Sequence, residues 1–348
     1  MSSNKHCALG ALFFGLIQIS PNAFASDLED PATLGAKPEI TVGVLDDVNV
    51  PGNFFTFDEA RSDLEALLSL QTTVKSQGSR GTCSIFSATA ALESLMKIRE
   101  ERDYDLSENY LEFLVMAKMK SYPSEGSDTP LNFPAFQRYG TIEEASWPYE
   151  TQDWTKLDEL SVDEKARALA TCGHLTVRAQ RDICLLSHLD PNRDVYYTMA
   201  KSFRAAHRLD RVGYRTLSQA SDIRWVLREN RPLVLSVEFF YGAWNHRKMV
   251  EYGIGERDMK LWDNGVVTTP TSKDVSLSRE HPAGHSIVVV GYDDAKRVYY
   301  FKNSWGTTGF GVTSNLMGST EPTAGYGTIS YDYAHRYGTF FQVGFSEQ

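Results

Sequence analysis

One stretch of the chain combines a nucleophile with a turn and a helix that would activate it. Residues 77–87 read QGSRGTCSIFS, and the glycines and polar residues before Cys83 predict a sharp turn. Apolar residues recur at three- and four-residue spacing after Ile85, which predicts a helix. Cys83 would then lie in its first turn, where unpaired N–H groups and the helix dipole stabilise a thiolate. The stretch alone fits a buried structural cysteine equally well.

A histidine and an asparagine occur together much further along the chain. Residues 284–302 have the pattern of a hairpin, with a buried strand, a short turn and a returning strand. If the turn is centred between Asp294 and Ala295, His285 lies opposite Ser304 and about 5–7 Å from the Cα of its neighbour Asn303.

Such a pair has a specific use. An asparagine carbonyl can accept a hydrogen bond from one imidazole N–H, which fixes the tautomer and leaves the other ring nitrogen to face a thiol. We therefore expect Cys83, His285 and Asn303 to form one site, although His285 and Asn303 are far from Cys83 in sequence.

Taken together, these residues give the chain a resemblance to papain-like cysteine peptidases. Matching segments occur in the same order as in that family and cover most of residues 69–348. They are Gln77, GTC at 81–83, FS at 86–87, LSE at 106–108, WPY at 147–149, RPLVLSV at 231–237, GHS at 284–286, VVGYD at 289–293, KNSWG at 302–306 and GYGTISY at 325–331.

The resemblance implies a role for each matching residue. Cys83 would be the nucleophile, His285 its general base and later the acid for the leaving amine, and Asn303 the group that orients His285. The thiolate would be stabilised by an imidazolium at His285 and by the helix terminus. Gln77 would supply an N–H to the oxyanion hole together with the Cys83 backbone N–H. Trp305 would shield the histidine–asparagine hydrogen bond from water, whether or not it is also a core aromatic.

The chain also departs from the family pattern. Arg80 stands where many relatives place a disulfide cysteine, and the glycine-rich segment that carries its partner is absent. The segment 125–127, EGS, is the nearest candidate, so Gly126 is assigned with Trp305 to substrate binding. These changes affect the walls of the cleft, and hence substrate preference, more than the reacting groups.

The fold class that the resemblance implies is α+β, with two lobes and a groove between them. We expect a helical lobe over about 69–210 with an inserted segment at 151–210, and a β lobe over about 211–348 that is largely antiparallel. Residues 26–68 form an N-terminal arm or a short propeptide, and an arm packed on the domain is favoured.

The first twenty-five residues have the pattern of a signal peptide. Lys5 makes a basic start, residues 8–19 are apolar, and Ala23-Phe24-Ala25 is a small-x-small cleavage site. The apolar run is too short to span a membrane, so no membrane anchor is expected. The sequence therefore predicts a secreted or periplasmic protein.

Export makes the cysteine count informative. Cys83, Cys172 and Cys184 remain after the predicted leader is removed, and an exported chain with an odd number leaves one unpaired. A disulfide between Cys172 and Cys184 would close a short loop and leave Cys83 as the thiol; the alternative is that both are buried thiols.

Composition limits the partners. The formal charge of −10 argues against nucleic acid, and no cysteine–histidine cluster has zinc spacing, so neither a metal nor a cofactor is expected. The predicted partner is a peptide or protein substrate bound by a monomer. The predicted reaction is peptide-bond hydrolysis through a thioester. The alternatives are an acyl transferase or peptide ligase with the same triad, and a catalytically inert peptidase-like binding protein.

Overall fold

A computed structural model describes residues 61–119, 125–316 and 323–346. The predicted signal peptide, 1–25, and the first part of the predicted arm, 26–60, lie outside the described residues. Within the described part of the chain, no helix is both long enough and apolar enough to cross a bilayer.

The fold is α+β, as predicted, with helices first and a sheet after them. The helices before residue 211 are α1 (Leu64–Ser69), α2 (Cys83–Glu100), α3 (Glu108–Ala117), α4 (Thr129–Tyr139), α5 (Val162–Cys172), α6 (Arg178–Leu186) and α7 (Arg193–Ala206). Those after it are α8 (Ala220–Arg228), α9 (Lys248–Glu251), α10 (Met259–Asp263), α11 (Ser272–Ser278) and α12 (Tyr331–Tyr337).

A seven-stranded sheet forms the second half. Its strands are β1 (Val212–Leu217), β2 (Leu233–Glu238), β3 (Val266–Val267), β4 (Gly284–Asp293), β5 (Val298–Lys302), β6 (Tyr326–Ser330) and β7 (Gly338–Phe345). Their order is β1-β7-β2-β4-β5-β6-β3, and only β3 and β6 pair in parallel. Strand β4 lies at the middle of this order and is buried over its whole length, which explains its continuous apolar run.

Helix α2 joins the two halves. It packs against α3 and α4 on one side and against β2 and β4 on the other. The predicted single apolar face is therefore only part of its contact surface, since small polar residues face the sheet. Ser87 Oγ, for example, lies 2.8 Å from Ser286 Oγ on β4. A helix between two layers holds its first residue, Cys83, at the boundary between them.

The β4–β5 register differs from the prediction by one residue at the end near His285 and by two residues next to the turn. Val288 faces Lys302 and Val289 faces Phe301, and the register then shifts between Val289 and Gly291. The turn comprises residues 294–297, of which Arg297 has a φ of 54°, so its centre lies one residue later than predicted. A bulge and a left-handed turn residue other than glycine leave no clear mark in a sequence.

The segment 151–210 folds as the three helices α5, α6 and α7. Cys172 and Cys184 form a disulfide that joins α5 to α6. They lie in a small core of their own with Trp154 and Ala168. The disulfide therefore links helix α5 covalently to helix α6.

Two other regions contain further elements. Residues 251–284 include α10, β3 and α11. The described end of the expected arm, residues 61–68, lies along the outer end of β4, where Ser62 N–H donates to the Tyr292 carbonyl over 3.2 Å. Leu64, Leu67 and Leu68 of α1 are buried there.

Candidate active site

Cys83 is the first residue of α2, and a glycine turn leads into it. Thr82 is the N-cap, and its carbonyl accepts hydrogen bonds from Ile85 N–H and Phe86 N–H, both at 3.0 Å. Gly78 has a φ of +61°, and a Cβ there would lie 2.4 Å from the Thr151 side chain, so only glycine fits. Cys83 is buried and is outside the disulfide. Its position places the sulfur at the positive end of the longest described helix.

His285 lies at the start of β4 and is joined to Asn303, just after β5. Its Nε2 lies 2.8 Å from Asn303 Oδ1, and both side chains are buried. Because Oδ1 can only accept, Nε2 carries the hydrogen and Nδ1 keeps its lone pair. Nδ1 has no hydrogen-bond partner among the described residues. The predicted contact is therefore present although the predicted register is wrong.

Aromatic rings surround the imidazole. Trp305 lies 4.7 Å from the His285 ring at 32°, and Trp244 meets it edge-on at 5.0 Å. Trp262 stacks on Trp305 at 5.7 Å. These rings surround a hydrogen bond whose two side chains are both buried. The sequence assigned only Trp305 to the site; Trp244 lies in the turn after β2, and Trp262 lies in α10.

Burial determines the charge of this histidine. It lowers the pKa of His285 to about 4, and the hydrogen bond with Asn303 opposes the shift. The isolated imidazole is therefore neutral at pH 7, which works against the imidazolium expected from the sequence. A neutral ring with a free lone pair at Nδ1 is a competent base for a thiol.

Gln77 connects the loop before Cys83 to the loop after β5. Its Oε1 accepts from Ser304 Oγ at 2.7 Å, and its backbone N–H donates to the Ser304 carbonyl at 2.8 Å. Its Nε2 donates to the Arg80 carbonyl at 2.7 Å. A side-chain amide has two N–H groups, so one remains beyond the bond to Arg80. Ser304, which fixes the amide, was not singled out by the sequence.

Gly126 lies near the start of α2 but is itself buried. Its φ is +71°, and its N–H donates to Glu112 Oε1 at 3.0 Å. The next residue, Ser127, donates its N–H to Ser84 Oγ at 2.8 Å, which places this loop beside Cys83. The assignment of Gly126 to substrate binding stays a prediction.

The described residues offer no alternative centre based on a metal. They contain no group of three or more histidine, cysteine or acidic side chains that could hold a metal ion. What they do bring together is a cysteine at a helix N-terminus, a buried histidine–asparagine pair and a fixed amide, from three separated parts of the chain. This set of groups suits acyl transfer through sulfur.

Two family models match the chain, and each matched range includes part of this site. The papain family cysteine protease model matches residues 61–225, which include Gln77 and Cys83. The peptidase C39-like family model matches residues 187–335, which include His285 and Asn303.

Individual relatives are distant. A cysteine protease from Blomia tropicalis is 23% identical over 243 residues, which are 68% of this chain and 54% of that protein. The chain thus spans about half the length of this curated relative. The structure of xylellain, a cysteine protease from Xylella fastidiosa, superposes with a TM-score of 0.55 at 15% identity and covers 93% of this chain and 100% of that one. At that identity the likeness concerns the fold. Together with both family models, these matches confirm the resemblance to papain-like cysteine peptidases that was found in the sequence.

Proposed function

We propose that this protein hydrolyses peptide bonds with Cys83 as nucleophile and His285 as general base. The observation that carries the proposal is the buried bond between His285 Nε2 and Asn303 Oδ1, which leaves Nδ1 without a partner. A buried imidazole that is hydrogen-bonded at one nitrogen and has a lone pair at the other can take the proton of a thiol that faces it.

The reaction follows from these groups. His285 Nδ1 takes the proton of the Cys83 thiol, and the sulfur attacks the carbonyl carbon of the substrate amide. The carbonyl oxygen becomes an oxyanion, which accepts hydrogen bonds from the second Gln77 N–H and the Cys83 backbone N–H. His285 then gives its proton to the leaving amine, and a thioester to Cys83 remains. Water, deprotonated by His285, cleaves the thioester and restores the thiol.

Asn303 and Trp305 act through His285 in this proposal. Asn303 holds the ring in the tautomer that exposes Nδ1, and the aromatic shell keeps that hydrogen bond in a dry environment, where it is stronger than in water. Both effects preserve the orientation of the base during the two proton transfers.

We also propose that the protein acts after export. The apolar segment at 8–19 and the small-x-small site at 23–25 support this, and so does a disulfide, because disulfides persist mainly in oxidising compartments. N-terminal sequencing of the protein from its native cell would test it, and a mature chain that starts at Ser26 is expected.

Cleavage of a mixed peptide library by wild-type protein and by Cys83→Ala tests the reaction. We expect cleavage products only with the wild type, each with the mass of water added. Products that carry an added amine instead would indicate acyl transfer to an acceptor. Cleavage that survives in Cys83→Ala would contradict the proposal.

A further inference from the structure

Glu125 binds two consecutive residues of the loop that leads to Cys83. Its Oε1 accepts from Arg80 Nε at 2.7 Å, and its Oε2 accepts from Gly81 N–H at 2.9 Å. The carboxylate therefore holds both the side chain of Arg80 and the backbone amide that follows it. Such a closed pair of bonds fixes the peptide between residues 80 and 81.

The guanidinium of Arg80 is completely buried and has partners on every side. Nη1 donates to Asn109 Oδ1 at 2.9 Å and to the Glu150 carbonyl at 3.0 Å. Nη2 donates to the Leu186 carbonyl at 2.5 Å, and the Tyr149 ring lies 4.8 Å from the guanidinium carbon. Arg80 therefore connects the Cys83 loop to α3, to the turn after Trp147 and to the end of α6.

The charge of Arg80 is balanced inside the protein. Glu125 lies beside it, and Glu112 is near enough to interact with it electrostatically. Burial raises the pKa of Glu112 to about 8 and that of Glu125 above its usual range, while Arg80 opposes both shifts. A buried cation with a bonded carboxylate is costly to build, and its removal leaves an unpaired charge.

The backbone of Arg80 carries the effect to the candidate active site. Its carbonyl accepts the hydrogen bond from Gln77 Nε2 at 2.7 Å. If the peptide after Arg80 rotates, that carbonyl moves and the Gln77 amide loses one of the two bonds that orient it. The other bond, from Ser304 Oγ to Oε1, does not by itself decide where the second N–H points.

We propose that Glu125 and Arg80 form a buried clamp that positions the Gln77 amide for the oxyanion, so both are positioning residues for the reaction proposed above. The inference rests on that proposed function, and it assigns these residues an effect that acts through Gln77. Removal of the clamp should lower the stabilisation of the oxyanion and leave the thiol–imidazole pair intact.

Two reactions of the Cys83 sulfur distinguish a specific effect on the oxyanion from a general disturbance of the site. Peptide hydrolysis passes through an oxyanion, whereas alkylation of Cys83 by iodoacetamide displaces iodide at a saturated carbon and forms none. An interaction made only in the transition state lowers kcat with little change in KM. The clamp should therefore affect hydrolysis and leave both the alkylation rate and its pH profile unchanged.

The test compares Glu125→Gln with wild type and with Arg224→Gln as a matched control. Glu125→Gln keeps the size of the side chain, but its single carbonyl oxygen replaces the two carboxylate oxygens that accept from Arg80 Nε and Gly81 N–H. Arg224 is also a buried arginine that contacts a carboxylate, Asp294, but it lies at the opposite end of β4 from His285. We expect kcat to fall about 10- to 100-fold in Glu125→Gln, since loss of a whole oxyanion donor costs about 10²–10³. KM and alkylation should stay within about twofold of wild type, and Arg224→Gln should keep its kcat.

If Glu125→Gln does not fold, the double variant Arg80→Met with Glu125→Leu removes both charges together, and the same loss of kcat with normal alkylation is expected. An unchanged kcat would overturn the clamp, and so would a parallel loss of hydrolysis and alkylation or an equal loss in Arg224→Gln. A wild-type protein that is alkylated at Cys83 but cleaves no peptide would instead overturn the proposed function, and the clamp's role with it.

Discussion

Ser304 Oγ donates a 2.7 Å hydrogen bond to Gln77 Oε1 and thereby joins the loop before Cys83 to the residue after Asn303. The two loops come from opposite halves of the fold, and 227 residues separate the two side chains in sequence. This bond links the orientation of the proposed oxyanion donor to the position of the histidine–asparagine pair.

Ser304→Ala should therefore impair hydrolysis without unfolding the protein. With Oε1 unheld, the Gln77 amide gains rotational freedom, and we expect kcat to fall about tenfold, less than for loss of the donor itself. Steady-state kinetics on a peptide amide measure this. Ser94→Ala is the control, because it removes another buried hydroxyl. Ser94 lies on helix α2 but far from Cys83. Equal kinetics for the two variants would count against a role for Ser304.

The pH dependence of hydrolysis should reflect the buried histidine. Because burial holds the pKa of His285 at about 4, the ring stays able to accept a proton well below pH 6. We expect kcat/KM to fall on the acid side with an apparent pKa near 4, a value that belongs to the Cys83–His285 pair. An acid limb near 6.5, the value of an exposed histidine, would contradict this.

Stability should be greatest at mildly acidic pH. Burial raises the pKa of four carboxyls, so the folded chain binds more protons than the unfolded chain above about pH 4.5, and stability falls as the pH rises. They are Glu108, Glu112, Glu125 and Glu144. Burial also lowers the pKa of four histidines, which costs stability as the pH falls below about 6.5. They are His188, His246, His285 and His335.

Urea unfolding across the pH range measures the balance. We expect a maximum in the free energy of unfolding between about pH 4.5 and 6.5, where the two effects oppose each other. Glu112→Gln removes one raised carboxyl and should flatten the decline toward pH 8. A free energy of unfolding that rises from pH 6.5 to pH 8 would contradict the assignment.

The disulfide should stabilise the segment 151–210 and leave the chemistry unaffected. Cys172 and Cys184 are twelve residues apart, and a loop of that length corresponds to about 3 kcal/mol. The double variant Cys172→Ala with Cys184→Ala should therefore unfold at lower urea concentration. Reductant should weaken the wild type and have no further effect on the variant. A variant as stable as wild type would show that the small core around Trp154 suffices.

Part of the site could be predicted because its chemistry requires specific residue types. Cys83 at a helix start and His285 beside Asn303 were found from turn, helix and strand patterns alone. The register of the hairpin could not be predicted, because the bulge near Val290 depends on packing rather than on residue type. The contact of His285 with Asn303 tolerates this error, since a side chain reaches across a one-residue shift.

The groups that position the site were harder to find. In the sequence, Arg80 was notable only because it stands where many relatives have a disulfide cysteine. Glu125 was only part of the nearest candidate for the absent glycine-rich segment. Their bond depends on two segments 45 residues apart that meet only in the folded chain. Ser304 and Trp244 are similar cases, because neither residue type signals that its partner is a catalytic candidate.

The central claim is that His285 activates Cys83, and one measurement tests it most directly. Protein from Ser26 onward is treated with a thiol-reactive peptidyl epoxide, and mass spectrometry follows the adduct at Cys83 against pH, in wild type and in His285→Ala. We predict fast labelling below pH 7 in the wild type and its loss in the variant. Labelling that rises only near pH 8.5, the pKa of an ordinary cysteine, and that is equal in both proteins would contradict the claim.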